Sequence, residues 1–184
     1  MEGALVFASI ILGVGITDEL MSLHRLMRAR KRVRWDWAVP VLALLVLLTI
    51  IQIWWSMQNM HGPLTIGDYL PLIVLLILLF LLAAAVLPDE VPAEGLDLKS
   101  WYDENGAYIW TLFAAALGCV SVTRLLAEPG TRTSLSRLLD AFAADLVILA
   151  LMVSLIFVRP RWWHAIALAV LFVGPITWLS KSIG

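Results

Sequence analysis

The feature that most constrains this chain is the recurrence of long apolar segments along almost its whole length. Six such segments lie at about residues 3–27, 37–57, 69–87, 107–126, 138–158 and 162–179. A helix of about 20 apolar residues crosses the hydrocarbon core of a bilayer. With only 15% charged residues, the chain is also far less polar than an ordinary soluble domain. The sequence therefore predicts an all-α integral membrane protein, with residues 1–184 forming a single transmembrane domain of six helices.

The charges are segregated between two connectors. Six of the thirteen Lys and Arg residues lie between Arg25 and Arg34, five of them in the basic connector 28–36, whereas acidic residues gather in the connector 88–106. Because basic residues next to a span tend to stay on the cytoplasmic side, both connectors are predicted to lie inside and both termini outside. Indole rings prefer the headgroup boundary, which agrees with tryptophans at the segment ends: 35, 37, 101, 110, 162 and 163 inside, and 54, 55 and 178 outside. The expected location is a bacterial inner membrane, as a multi-pass protein.

A weak internal similarity suggests two halves of three spans each. Residues 2–15 align with residues 105–118, which pairs Gly3 with Gly106 and Gly15 with Gly118. An odd number of spans per half would give the halves opposite orientations, the inverted-repeat plan of many transporters. Chance similarity between two hydrophobic segments is the alternative.

Two charged residues lie deep in otherwise apolar segments. Arg124 and Asp145 are expected at similar depths on neighbouring antiparallel helices, so an ion pair between them would satisfy both. The pair could clamp the two helices together or line a solvated ion or proton pathway. Asp140, one to two turns closer to the outer surface, is assigned to the interface beside Arg137.

Two adjacent carboxylates, Asp18 and Glu19, lie near the predicted inner boundary of the first segment. They could mark the point where the helix leaves the bilayer, or they could face a cavity that binds a coupling ion. Adjacent helical residues point about 100° apart, so one of the two is favoured for such a cavity. Asp18 is preferred because Ser9, Gly13 and Thr17 form a small, polar stripe that ends beside it.

Small residues at four-residue spacing predict close helix packing. Thr111, Ala115 and Cys119 form one stripe of the fourth segment, with Gly118 beside it, and Gly13 is expected to act similarly in the first segment. Cys119 is therefore interpreted as a packing residue and not as a nucleophile. Gly174 and Pro175 predict a kink in the sixth segment, with a gating hinge as the alternative.

The basic connector is predicted to contact anionic lipid headgroups through Arg28, Arg30, Lys31, Arg32 and Arg34. The acidic connector, on the same predicted side, competes for the same cations. The sequence alone does not rank these two attractions.

The remaining signals argue against an enzyme. The sequence contains no nucleophile with a nearby base and no nucleotide-binding loop in a suitable structural context. His24, His61 and His164 lack metal-ligand spacing. His164 is expected to anchor the interface beside Trp162 and Trp163. No metal, cofactor or nucleic acid is predicted. The expected function is an oligomeric channel or carrier for an ion, proton or small solute. The alternative is a structural or accessory subunit of a larger membrane complex, or a lipid-organising scaffold.

Overall fold

The computed structural model describes residues 2–58, 66–127 and 135–180, and side chains over 5–58, 70–124 and 142–180. Over these residues the protein is helical almost throughout. These residues form six helices and two very short strands. In chain order they are α1 (Glu2–Arg28), β1 (Val33–Arg34), α2 (Ala38–Gln58), α3 (Ile66–Ala85), β2 (Leu96–Asp97), α4 (Leu98–Ala127), α5 (Leu135–Phe157) and α6 (Arg161–Leu179).

Four of these helices, within the described residues, are long and apolar enough to cross a membrane. They are α1, α2, α4 and α6. The other two helices contain shorter apolar stretches, Leu70–Ala85 and Phe142–Phe157. The chain is therefore a multi-pass, all-α membrane protein, as the sequence predicts at this level.

The two connectors with opposite charge meet at one end of the helix bundle. Strands β1 and β2 pair in parallel, with Val33 opposite Leu96 and Arg34 opposite Asp97. We refer to this pairing as the clasp, and to the end of the bundle that carries it as the clasp end. Helices α1 and α3 end there and α2 and α4 begin there, so these four helices alternate in direction.

A glycine is required where the acidic connector meets the basic one. Gly95 has a φ of +104°, a backbone conformation that residues with a side chain rarely adopt. A Cβ there would lie 2.8 Å from the Arg32 carbonyl oxygen. The same carbonyl oxygen accepts a hydrogen bond from the Leu96 N–H at 3.0 Å. Gly95 thus permits the close backbone approach from which the clasp begins.

Helix α4 begins nine residues before its predicted start at residue 107. The acidic connector is therefore a loop only as far as Asp97, and its second half is helical. The reason is a helix cap: the Asp97 carboxylate accepts a hydrogen bond from the Lys99 N–H at 2.9 Å, satisfying a donor that the first turn leaves free. At 30 residues, α4 is about 45 Å long, well over the thickness of a bilayer's hydrocarbon core.

Helix α1 packs along α3 through a seam of buried residues at alternating three- and four-residue spacing. The seam consists of Ala8, Leu12, Gly15, Glu19, Ser22 and Leu26. The helices come close at Gly15, where a Cβ would lie 3.4 Å from the Ala83 Cβ and 3.5 Å from the Phe80 Cα. Such spacing keeps one face of a helix against its neighbour.

The predicted small-residue stripe does not face the rest of the chain where the structure describes it, so its packing role stays a prediction. Thr111 and Ala115 are exposed, and a Cβ added at Gly118 or Gly13 would meet none of the described residues within 4 Å. Helix α4 instead buries large residues, among them Ile109, Trp110 and Phe113. Lipid is as apolar as a protein core, so small residues alone do not show which side of a helix faces the protein. Cys119 is half-buried and donates to the Pro71 carbonyl oxygen at 3.4 Å, which fits its predicted packing role.

The two halves of the chain pack differently. Helix α1 runs against α3, whereas α4 runs against α5 and α3, and α2 runs against α6. These contacts give no support to the three-plus-three repeat. Helix α6 continues from Arg161 to Leu179 through Gly174 and Pro175, and the Gly174 carbonyl oxygen accepts a hydrogen bond from the Thr177 hydroxyl. Neither the kink nor the hinge predicted there is tested by this continuity.

Candidate functional site

The most unusual polar group in the described residues is the carboxyl of Glu19. It occupies the α1 seam with only 3% of its surface exposed, and its Oε2 atom has no hydrogen-bond partner. It lies one turn beyond Gly15, where α1 touches α3. A buried carboxylate without a partner costs several kcal/mol. An isolated carboxyl at a packing position is therefore a feature that stability alone does not explain.

Polar groups connect Glu19 with the clasp end. Ser22, one turn farther along the seam, is buried and donates to the Asp89 Oδ1 atom at 3.5 Å. Asp89 is exposed, and its carbonyl oxygen accepts a hydrogen bond from the Arg25 guanidinium. Glu19 and Ser22 thus lie one turn apart on the buried seam of α1, and Ser22 contacts the exposed Asp89. We refer to these three residues as the Glu19 site.

Asp18, the carboxylate that the sequence favoured, lies on a different side of α1. It is half-buried, while Ser9, Gly13 and Thr17, the stripe that led to the choice, are all exposed. Two of the hydroxyls in this stripe turn back onto their own helix: Ser9 donates to the Leu5 carbonyl oxygen and Thr17 to that of Gly13. The buried carboxyl of the pair is thus Glu19, and the preference for Asp18 as the cavity-facing group stays a prediction.

The ion pair predicted between α4 and α5 is present. The Arg124 Nη1 atom lies 2.8 Å from the Asp145 Oδ2 atom, which also accepts a hydrogen bond from Ser121 at 3.3 Å. The Arg124 guanidinium in addition lies 5.8 Å from the centre of the Phe142 ring. Each charge therefore has its partner within the protein. The Asp140 side chain lies outside the described residues.

A second polar cluster joins α4 and α6 near the clasp end. The Trp110 Nε1–H donates to the Tyr102 hydroxyl at 2.8 Å, and this hydroxyl lies 2.7 Å from the His164 Nδ1 atom. The His164 Nε2 atom is 2.8 Å from the Val158 carbonyl oxygen. Because indole can only donate and a carbonyl can only accept, one arrangement satisfies every atom: Tyr102 donates to Nδ1 and Nε2–H donates to Val158.

This cluster corrects two predictions about interface anchors. His164 is buried against Tyr102 and Trp110, and Trp110 is fully buried, so neither of these two residues serves as an anchor at the headgroup boundary. Trp162, by contrast, is 64% exposed, which suits the predicted boundary position. The cluster could not be predicted from sequence, because Trp110 and His164 lie 8 and 62 residues from Tyr102 and join it only when α4 meets α6.

An arginine ties three parts of the chain together beside this cluster. Arg161 lies 2.5 Å from the Asp36 carboxylate and 3.3 Å from that of Asp103. Asp36 also accepts a hydrogen bond from the Ala38 N–H, at the start of α2. The α1–α2 connector, α4 and α6 are thus held together by charges that are mutually satisfied.

The described residues hold no group of three His, Cys, Asp or Glu side chains that could bind a metal ion. What the arrangement offers is one interior carboxyl with an unsatisfied oxygen, able to accept a proton or a cation from outside the chain. Comparison with known proteins adds nothing to this: no family model, no curated protein and no solved structure matches the chain.

The burial of Glu19 was not predicted, although the spacing of residues in α1 contains a signal for it. Ala8, Leu12, Gly15, Glu19, Ser22 and Leu26 follow the three- and four-residue alternation of a packed helix face. Small and polar residues interrupt this seam, which hides it among the many apolar positions of α1. The alternation places Glu19, and not Asp18, on the packed face.

Proposed function

We propose that this chain is a proton or small-cation carrier or channel of a bacterial inner membrane, with Glu19 as its interior binding group. The observation that carries the proposal is the buried Glu19 carboxyl, whose Oε2 atom has no hydrogen-bond partner among the described residues. Ionisable groups in membrane segments are costly and commonly mark ion or proton pathways. In this proposal all six helices span the bilayer, and the clasp end faces the cell interior.

The route to Glu19 runs from the clasp end in this proposal. Asp89 is exposed there and would concentrate cations near the surface, since a carboxylate attracts positive charge. The Ser22 hydroxyl then lies between Asp89 and the next turn of α1, where Glu19 is found. A proton would reach Glu19 along hydroxyl and water hydrogen bonds. A small cation would instead exchange its hydration water for the oxygens of the same groups.

The Arg124–Asp145 pair has a different part in this proposal. Its two charges are already satisfied by each other, and Ser121 adds a further donor to the carboxylate. We assign it the role of a clamp between α4 and α5. The carboxyl that accepts an external ion is then that of Glu19, whose Oε2 atom has no hydrogen-bond partner among the described residues.

Assembly with other membrane helices is the second part of the proposal. Thr111 and Ala115 present a small-residue face outward from α4, and small residues allow close approach of another helix within a bilayer. That helix would come from a second copy of the chain. A subunit of a larger complex remains the alternative, in which case the chain would have an accessory role.

Flux measurements with paired carboxylate variants test the function. The full chain would be reconstituted in liposomes. Uptake of protons, sodium and potassium would each be followed with a dye sensitive to that ion, under an imposed potential. We expect flux above that of empty liposomes, and at least a tenfold loss in Glu19→Gln. Asp18→Asn removes the neighbouring charge from a different side of α1 and should retain wild-type flux.

Two results would overturn the proposal. One is a wild-type protein that, although folded and monodisperse, conducts none of the three ions. The other is equal flux in wild type and Glu19→Gln, which would make the buried carboxyl irrelevant to transport.

A further inference from the structure

The cations from Arg25 to Arg34 form two sets with different surroundings. Arg25 and Arg34 are engaged by the acidic connector, through the Asp89 carbonyl oxygen and the Asp97 carboxylate respectively. The second set, which we refer to as the free cations, has no acidic partner within the described residues and is exposed. It comprises Arg28, Arg30, Lys31 and Arg32.

An apolar groove lies beside the free cations. It has a volume of about 360 Å³ and is lined by Leu23, Met27, Arg30 and Trp35. Leu23 and Met27 are one turn apart on α1 and form an aliphatic floor, with Met27 59% exposed. Trp35 follows the clasp strand and is 47% exposed. Arg30 is the one charged side chain among the lining residues.

We propose that this groove binds an anionic phospholipid. One acyl chain would lie along Leu23 and Met27, and the Trp35 indole would sit at the level of the glycerol backbone, where indole rings partition. The Arg30 guanidinium would bind the phosphate through two parallel hydrogen bonds, a geometry that suits arginine better than lysine.

Charge complementarity selects a lipid with net negative charge over a zwitterionic one. The free cations lie within a few residues of the groove and keep their full attraction for anions, because the acidic connector satisfies only Arg25 and Arg34. Each basic residue near a membrane surface contributes measurably to binding of anionic lipid. The acidic connector thus engages Arg25 near the end of α1 and Arg34 in the clasp, and the cations between these two residues are available to lipid. This proposal does not depend on Glu19.

Lipid titration of the purified full chain in mild detergent tests the site. Native mass spectrometry would count bound dioleoylphosphatidylglycerol and dioleoylphosphatidylcholine, and soluble glycerol 3-phosphate would serve as a headgroup without acyl chains. We expect preferential binding of the anionic lipid and no retention of glycerol phosphate. Arg30→Gln should weaken binding about fivefold, equivalent to about 1 kcal/mol. Met27→Ser should weaken it as well, by removing part of the floor.

Arg34→Gln is the matched control, because it removes the same charge from the same connector but from a residue outside the groove that is paired with Asp97. Its binding should stay within twofold of wild type. Equal losses in Arg30→Gln and Arg34→Gln would show a diffuse charge effect and overturn the site. Equal binding of the two lipids would overturn the selection by charge. A dimer dissociated by Met27→Ser, without bound anionic lipid, would assign the groove to a second copy of the chain.

Discussion

At the scale of single residues, the described part of the protein contrasts a satisfied polar cluster with an unsatisfied carboxyl. Around Tyr102, the donors and acceptors of Trp110, His164 and Val158 all find partners. In the α1 seam, one Glu19 oxygen finds none. Both groups are buried among apolar side chains, where the energetic difference between a paired and an unpaired polar atom is largest. The first arrangement suits stability and the second suits exchange with an external ligand.

Removing the central hydroxyl of the cluster should destabilise the fold. Tyr102→Phe leaves the Trp110 Nε1–H and the His164 Nδ1 atom buried without partners, and each such loss costs about 1–3 kcal/mol. We expect a lower melting temperature in detergent and a lower free energy of unfolding in a denaturant titration. Tyr108→Phe is the matched control, since Tyr108 is 54% exposed on the same helix. An equal effect of both substitutions would contradict the role assigned to the cluster.

Contacts between residues could be predicted from sequence only where charge made them obligatory. Arg124 and Asp145 stand alone in apolar helices at similar depth, so each limits the other's choice of partner. Tyr102, Trp110 and His164 have many possible surroundings, and nothing in their spacing brings them together. For Asp18 and Glu19 the residue type was informative, but the position of each on the helix determines which carboxyl is buried.

At the scale of helices, the α1–α3 interface depends on close approach at one position. At Gly15 a Cβ would just touch Ala83 and the Phe80 backbone, so any longer side chain must displace α3. A Cβ added at Gly13, half a turn away, would have no neighbour within 4 Å among the described residues. Two glycines on one helix therefore differ sharply in what they permit.

Substitution at these two glycines should separate packing from helix propensity. Gly15→Leu is expected to destabilise the protein by about 1–3 kcal/mol, because overpacking forces the helices apart. Gly13→Leu gains helix propensity without a clash and should be neutral or slightly stabilising. Thermal unfolding of both variants in the same detergent checks this. Equal destabilisation by the two would mean that α1 does not pack on α3 through Gly15.

The helices themselves were largely predictable, whereas their inward faces were not. All six predicted segments overlap an observed helix, because the length of a run of apolar residues can be read directly from the sequence. The start of α4 was missed because a polar cap, and not hydrophobicity, determines it. The inward face of α4 was missed because lipid and protein core are equally apolar, so a helix between them has no polar side to mark the outside.

At the scale of the whole molecule, the clasp links the second and fourth helices of the chain to one end of the bundle. Because β1 and β2 are hydrogen-bonded to each other, residues 33–34 and 96–97 lie on the same side of any membrane that the bundle crosses. This agrees with an even number of crossings, α2 and α3, between the two connectors. The positive charge of the basic connector predicts that this side is the cell interior.

Cysteine accessibility tests this arrangement. In a Cys119→Ser background, Lys31→Cys and Lys99→Cys should both be labelled by a membrane-impermeant maleimide only after the cells are opened. Thr133→Cys, in the segment between α4 and α5, should be labelled in intact cells. Labelling of Lys31→Cys in intact cells would reverse the orientation. Different sides for Lys31→Cys and Lys99→Cys would contradict the clasp.

The clasp also has a consequence for how the protein is made. Val33 and Leu96 are 63 residues apart, so at about 5–20 residues per second the second strand leaves the ribosome roughly 3–13 s after the first. Throughout that delay Arg34 cannot form its ion pair with Asp97. The clasp therefore closes late in synthesis, after α2 and α3 have already been made.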